Sequence, residues 1–115
     1  MIPSGTDAFT DDTLQQLARL LAERRGADPA TSYVAGLLAG GEDAILKKIA
    51  EETAEVLLAG KAADPAALVH EVADLWFHTL VLLAARELGP QPVLDELRRR
   101  LGRSGLDEKA ARLRK

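Results

Sequence analysis

Five carboxylates at helical spacing could do chemistry in this chain: Glu51, Glu52 and Glu55 in KKIAEETAE (47–55), then Glu71 and Asp74 in EVAD (71–74). Residues three or four apart on a helix are neighbours, with Cβ atoms roughly 5–6 Å apart. Each stretch therefore offers a small acidic cluster, and each lies beside an apolar stripe where unpaired negative charge is costly. If the two helices pack antiparallel across the short connection from Gly60 to Asp64, the clusters converge. They would then repel and raise each other's pKa unless a cation joined them. Oxygen-only ligands select hard cations, Mg²⁺, Mn²⁺ or Ca²⁺, over zinc or copper. Mg²⁺ also keeps waters and meets substrate phosphates, so an incomplete protein cage is expected.

The bland alternative is a solvated face. Lys47 and Lys48 can pair with Glu51 and Glu52 at i,i+4, each pair worth only about 0.3–0.5 kcal/mol. Glu71 and Asp74 resist that reading because their helix has little other polar surface. His78 falls within about 60° of them at 100° per residue and can hydrogen-bond Asp74 or contact substrate. A single histidine among apolar residues is nevertheless more often a satisfied core group. No other chemistry competes. There is no phosphate-loop motif and no glycine-rich dinucleotide motif, Ser4, Ser32 and Ser104 have no histidine nearby in sequence, and the Glu-x-x-His of di-iron bundles is absent.

The elements that must position these groups read as helices. At 115 residues the chain has the size of one domain, and 47% apolar with 29% charged residues is a globular composition. Aromatics are only 3% against abundant Ala and Leu, which favours helix over sheet, and no segment alternates with a period of two. Without cysteine, disulfides and thiolate-bound zinc are excluded. No apolar run approaches the roughly 20 residues of a membrane span, and residues 1–12 lack a signal pattern, so a cytoplasmic protein without membrane contact is expected. Residues 1–97 hold seven Lys/Arg against sixteen Asp/Glu, while 98–115 hold eight against two. An acidic body does not suit nucleic acid; the basic end could meet phosphates or an acidic surface of another subunit.

A first helix is expected over 11–25, capped by Thr10 and stopped at Gly26. A short helix capped by Thr31 or Ser32 follows and ends at Gly40-Gly41. A long one runs over 42–59 to Gly60, its apolar stripe formed by Ile45, Ile49, Thr53, Val56 and Leu57, with Lys48, Glu51, Glu52 and Glu55 on the adjoining arc. Asp64-Pro65 opens a helix to about 87, apolar nearly all round between Val72 and Ala85 and therefore central and buried. A last helix begins at Pro92 and reaches Leu101, before a short basic end over 106–115. The architecture is all-α: a bundle of four principal helices plus short ones over 11–115, after a loose lead-in over 1–10. So small a bundle is expected to gain cover from a second copy, as a homodimer.

KKIAEETAEV (47–56) followed by HEVADLWFH (70–78) resembles the phosphoribosyl-ATP pyrophosphatase family. It belongs to the MazG-like all-α nucleoside-triphosphate pyrophosphatases, whose EExxE and ExxD signature falls on Glu51, Glu52, Glu55, Glu71 and Asp74. SYVAGLL (32–38), DLWFH (74–78) and SGLDEKA (104–110) extend the resemblance over about 12–115. It resembles the stand-alone form, lacking the length and cysteines of the cyclohydrolase fusion. The resemblance implies Mg²⁺-dependent hydrolysis of 1-(5-phosphoribosyl)-ATP, with Mn²⁺ as a substitute cation. It implies metal binding by Glu52, Glu55, Glu71 and Asp74, and a proton acceptor at Glu51 or Glu52. Substrate contacts are expected at Lys48, Ser32, Tyr33, His78, Arg103 and Lys109. Two other readings stand beside it: a MazG-like enzyme acting on NTPs or dNTPs, and a non-catalytic helical dimerisation module.

Overall fold

The computed structural model describes residues 11–102 and, beyond them, Gly105, Lys109, Arg112 and Leu113. The described residues form five α-helices and one 3-10 turn, with no strand among them, which is the all-α architecture expected. The expected cap Thr10, the lead-in and most of the basic end lie outside the described residues.

Helix α1 spans Thr13–Arg24. Its first N–H groups are met locally: Asp11 Oδ1 accepts from Thr13 N at 2.9 Å. It ends as expected, because Gly26 takes a left-handed φ of 84° that side-chain-bearing residues avoid. After a 3-10 turn at Pro29–Thr31, Ser32 starts helix α2, Tyr33–Ala39, its Oγ accepting from Ala35 N at 2.9 Å. Helix α3 runs Glu42–Ala62, passing through the glycine expected to stop it. A single helical glycine costs about 1 kcal/mol, which three more residues of helix and packing outweigh. The reversal comes instead at Ala63, left-handed at φ 56°. Asp64 then caps helix α4, Pro65–Ala85, accepting from Ala67 N at 3.1 Å. Beyond Ala85 the chain turns through Glu87 at φ 58°, with Leu88 N donating to Leu83 O at 2.8 Å. Helix α5 is Gln91–Arg99, shorter than expected at its C-terminal end.

The core is Leu21 of α1, Ile45 of α3, and Leu80, Val81 and Ala84 of α4. Leu21, Ile45 and Val81 are almost completely covered, each contributing about 1.5–3 kcal/mol by burial. Helix α4 packs on α1, α2 and α3 and so is central. It is not covered all round, however: Val69 and Trp76 stay exposed, and burial is concentrated at His78, Leu80, Val81 and Ala84. By length and composition α4 is also long and apolar enough to cross a membrane, although His70, Glu71, Asp74 and His78 break its apolar sequence before Leu80. Two polar clamps fix its C-terminal end. Arg86 grips Glu42 at the start of α3 with two contacts of 2.6 Å, and an Arg25 guanidinium nitrogen donates to Ala84 O at 2.9 Å.

The expected stripe of α3 needs correction. Its buried face is Ile45, Ile49, Glu52, Val56 and Ala59, whereas Thr53 and Leu57 are exposed. That is the same helical periodicity rotated by one position. Glu52 lies within the core face rather than beside it.

Candidate active site

The site is organised by Tyr33, the first residue of α2. With Ser32 fixing the helix start, the Tyr33 hydroxyl reaches α4 and lies 2.8 Å from His78 Nε2. The two rings stand edge to face, with centroids 5.9 Å apart, and Phe77 flanks the imidazole on another side. His78 Nδ1 is 2.8 Å from the backbone carbonyl oxygen of Asp74, which can only accept. Nδ1 therefore carries the proton, and in the neutral ring Nε2 accepts from the tyrosine. At 6% exposure His78 has both ring nitrogens engaged. It is the satisfied core histidine, and what it presents to the site is a fixed Tyr33.

Tyr33 also acts on α3: its electrostatic effect first, then those of Glu51 and Glu52, outweigh desolvation and hold the Lys48 ammonium above its ordinary pKa. Lys48 Nζ lies 3.6 Å from Glu51 Oε1 and 3.7 Å from Glu52 Oε1. Lys48 lies fourteen residues before the end of α3 and His78 thirteen after the start of α4, so the two stand at about one level. Helices α3 and α4 are in contact and joined only by Ala63 and Asp64, so they run antiparallel. From Lys48, four residues toward that connection lead to Glu52; from His78, four residues toward it lead to Asp74. At 1.5 Å per residue the two steps are equal, so Glu52 and Asp74 share the next level and Glu55 and Glu71 the one after. Register puts the two carboxylate pairs at matching heights; by distance, the ligand atoms that group within 4.8 Å among the described residues are those of His70, Glu71 and Asp74.

The members of the set differ in environment. Glu52 is only 8% exposed, and among the described residues its buried Oε2 has no hydrogen-bond partner. Glu51 and Glu55 are exposed, and Glu71 and Asp74 are half-buried. A buried carboxylate oxygen without a partner costs free energy of the kind a cation would recover. The donor set, mostly carboxylate oxygen, suits a hard divalent ion, so the residues fit Mg²⁺ or Mn²⁺.

One member is absent from the sequence expectation. His70 Nε2 is 3.3 Å from Asp74 Oδ2, and ligand atoms of His70, Glu71 and Asp74 all lie within 4.8 Å of one another. The i,i+4 spacing to Asp74 was the available signal. A cavity of about 700 Å³ adjoins Asp74, lined by Leu14, Leu17, Trp76 and Phe77 with Asp11 at its edge. Of the expected substrate contacts, Ser32 has its hydroxyl engaged in the α2 cap and Tyr33 and Lys48 come together. Lys109 is exposed, and Arg103 lies outside the described residues.

Comparison with known proteins agrees with this arrangement. The family model described as phosphoribosyl-ATP pyrophosphohydrolase matches residues 14–101, a span that contains both acidic helices whole. A phosphoribosyl-ATP pyrophosphatase of Neisseria gonorrhoeae is 57% identical over 102 residues, covering 89% of this chain and 95% of that protein. Its counterpart in Chromobacterium violaceum is 59% identical over 104 residues, covering 90% and 96%. One from Nitrosospira multiformis is 61% identical over 101 residues, covering 88% and 84%. Identity at this level, spread over nearly all of each partner, means that this chain belongs to the phosphoribosyl-ATP pyrophosphohydrolase family.

Proposed function

We propose that this protein is a hydrolase converting 1-(5-phosphoribosyl)-ATP to 1-(5-phosphoribosyl)-AMP and pyrophosphate, the second step of histidine biosynthesis. Beyond family membership, the supporting observation is Glu52: a buried carboxylate with a free oxygen, set at the level of Asp74. A hard divalent cation held by Glu52, Glu55, Glu71 and Asp74 would neutralise phosphate charge and polarise the anhydride. The protein's own groups supply the rest. Lys48 offers a fixed positive charge to a phosphate oxygen, kept protonated by its neighbours. Glu51, half-exposed and beside Lys48, is the better proton acceptor, since Glu52 is buried where a ligand is needed. Water oxygen forms the new bond to phosphorus, its proton passes to Glu51, and the phosphorus–oxygen bond to pyrophosphate breaks. Tyr33, its one proton engaged by His78, can accept a hydrogen bond from a substrate hydroxyl. Lys109 and Arg103 are the remaining cationic candidates for the phosphates.

Pyrophosphate release from phosphoribosyl-ATP, measured beside a panel of NTPs and dNTPs with and without Mg²⁺, tests the reading. Mg²⁺-dependent turnover of phosphoribosyl-ATP is expected. Turnover of dNTPs alone would replace it with the broader MazG-like activity, and no turnover with intact helicity would favour a dimerisation module.

We further propose a homodimer. Leu57, Leu58, Val69 and Trp76 leave much of the α3–α4 pair uncovered, and Leu97 and Leu101 add to the apolar exposure. An apolar groove between α1, α4 and α5 runs past Leu14, Trp76, Leu83, Val93 and Leu97. Apolar area on this scale marks association surfaces. Sedimentation at micromolar concentration should give twice the chain mass, and a monomer would remove the proposal.

A further inference from the structure

The cavity of about 700 Å³ beside Asp74 has a lining that does not suit phosphate. Two carboxylates, Asp11 and Asp74, belong to it, and among the described residues no Lys or Arg does. Leu14 and Leu17 of α1 and Trp76 and Phe77 of α4 make most of the remaining wall apolar and aromatic. The volume falls in the usual range of small-molecule sites, roughly 300–1,000 Å³. Asp11 is fixed at the start of α1. Hydrogen bonds from the Thr13 side chain and backbone N–H hold its carboxyl below the usual carboxylate range, so it is anionic at neutral pH. Trp76, the only tryptophan in the chain, is 59% exposed and so has ring surface left for a ligand. Leu14, Trp76 and Leu80 also line the groove between α1, α4 and α5, so the indole stands in the wall between the two. An indole and a carboxylate around an otherwise apolar cavity favour a flat cation over an anion.

We propose that this cavity takes the purine of the substrate, and that Trp76 and Asp11 select a base made cationic by alkylation at N1. The inference rests on the reading of the substrate given above. In 1-(5-phosphoribosyl)-ATP the second ribose is attached to adenine N1, and alkylation there fixes a positive charge on the amidinium of N1, C6 and N6 at neutral pH. ATP and dATP carry a neutral adenine. The indole attracts the charged ring more than the neutral one. Asp11 adds a charge-assisted acceptor for the exocyclic N–H, which is a stronger donor in the amidinium. Asp74 belongs both to the cavity and to the carboxylate set, so a purine bound here lies beside the place proposed for the phosphates. The acidic helices act on any triphosphate chain; this cavity supplies the preference for one base.

The probes are 1-methyl-AMP and AMP, which differ only in the N1 methyl group and the charge it brings. The fluorescence of Trp76 reports binding directly, since no other tryptophan contributes. 1-Methyl-AMP should quench the indole and bind about tenfold more tightly than AMP. Asp11→Asn, which can still cap α1, should cut that preference to about threefold. Trp76→Leu, followed by calorimetry, should remove most of it, and Trp76→Phe should keep part, which separates a lost ring contact from a lost fold. With phosphoribosyl-ATP, Trp76→Leu should raise KM about tenfold. Equal affinity for the two probes, or no response of Trp76 to either, overturns the inference. So does a preference that survives intact in Trp76→Leu. If the preference is absent while phosphoribosyl-ATP is still hydrolysed, only the inference falls. If the preference is present without turnover of phosphoribosyl-ATP, the cavity keeps its assignment and the proposed reaction falls.

Discussion

The Tyr33 hydroxyl and the His78 Nε2 atom, 2.8 Å apart, join the start of α2 to the middle of α4. The bond joins residues 45 positions apart in sequence and ties α2 to the acidic helix α4. Tyr33→Phe keeps the ring contact but leaves a buried imidazole nitrogen without a donor. Orphaning a buried acceptor costs about 1–3 kcal/mol, and the lower end applies because Tyr33 is itself half-exposed. Urea denaturation should therefore show a loss of about 1 kcal/mol, with helicity retained. An unchanged midpoint would mean the bond contributes nothing to holding α2 on α4.

Glu52 should behave oppositely in the absence and presence of metal. Glu52→Gln removes a buried charge and keeps the volume, so the metal-free protein should melt no lower than wild type. Mg²⁺ should raise the melting temperature of wild type, and the variant should lose that rise along with pyrophosphate release. A site with dissociation constant Kd stabilises by roughly 2.7 kcal/mol at a hundredfold excess of ion over Kd, so the contrast is measurable by thermal denaturation. A Mg²⁺ response that survives in Glu52→Gln would take Glu52 out of the ligand set.

Much of this was legible in the residues themselves. Ser32, Asp64-Pro65 and Gly26 mark helix ends by local chemistry that tertiary structure does not override. Gly60 misled because its cost is small beside the packing of a 21-residue helix, so the turn was set by Asp64-Pro65 and fell on Ala63. The face of α3 was misjudged by one position because hydrophobicity alone cannot place a carboxylate in a core: Glu52 is buried, while Leu57 is exposed. His70 was missed for the converse reason, since an exposed histidine carries no burial signal. The partial covering of α4 and the apolar groove share a residue, Trp76, which is exposed.

The Glu42–Arg86 clamp gives a pH signature distinct from the site. Arg86, hydrogen-bonded through both Glu42 oxygens, holds the Glu42 carboxyl below its usual 4.5. A depressed folded pKa means stabilisation that is complete above the unfolded value and lost as pH falls through the folded one. Wild type should accordingly exceed Glu42→Gln in stability at pH 7, with the difference closing as pH drops below 4.5. The gap should also shrink in high salt, because both groups are solvent-exposed. A difference that persists to pH 2 would assign the effect of Gln to something other than the ion pair.

Ser32 separates structure from substrate. Its hydroxyl accepts from Ala35 N at 2.9 Å, capping a helix of only seven residues whose first member is Tyr33. Ser32→Ala should cost about 1 kcal/mol, whereas glycine at an N-cap costs only a few tenths. If the cap is the whole role of Ser32, KM and kcat in Ser32→Gly should stay near wild type while Ser32→Ala loses stability and, with Tyr33 displaced, some turnover. If the hydroxyl touches phosphate, both variants should raise KM alike whatever their stabilities. The geometry favours the first pattern, because in the structure that hydroxyl is already committed to the backbone.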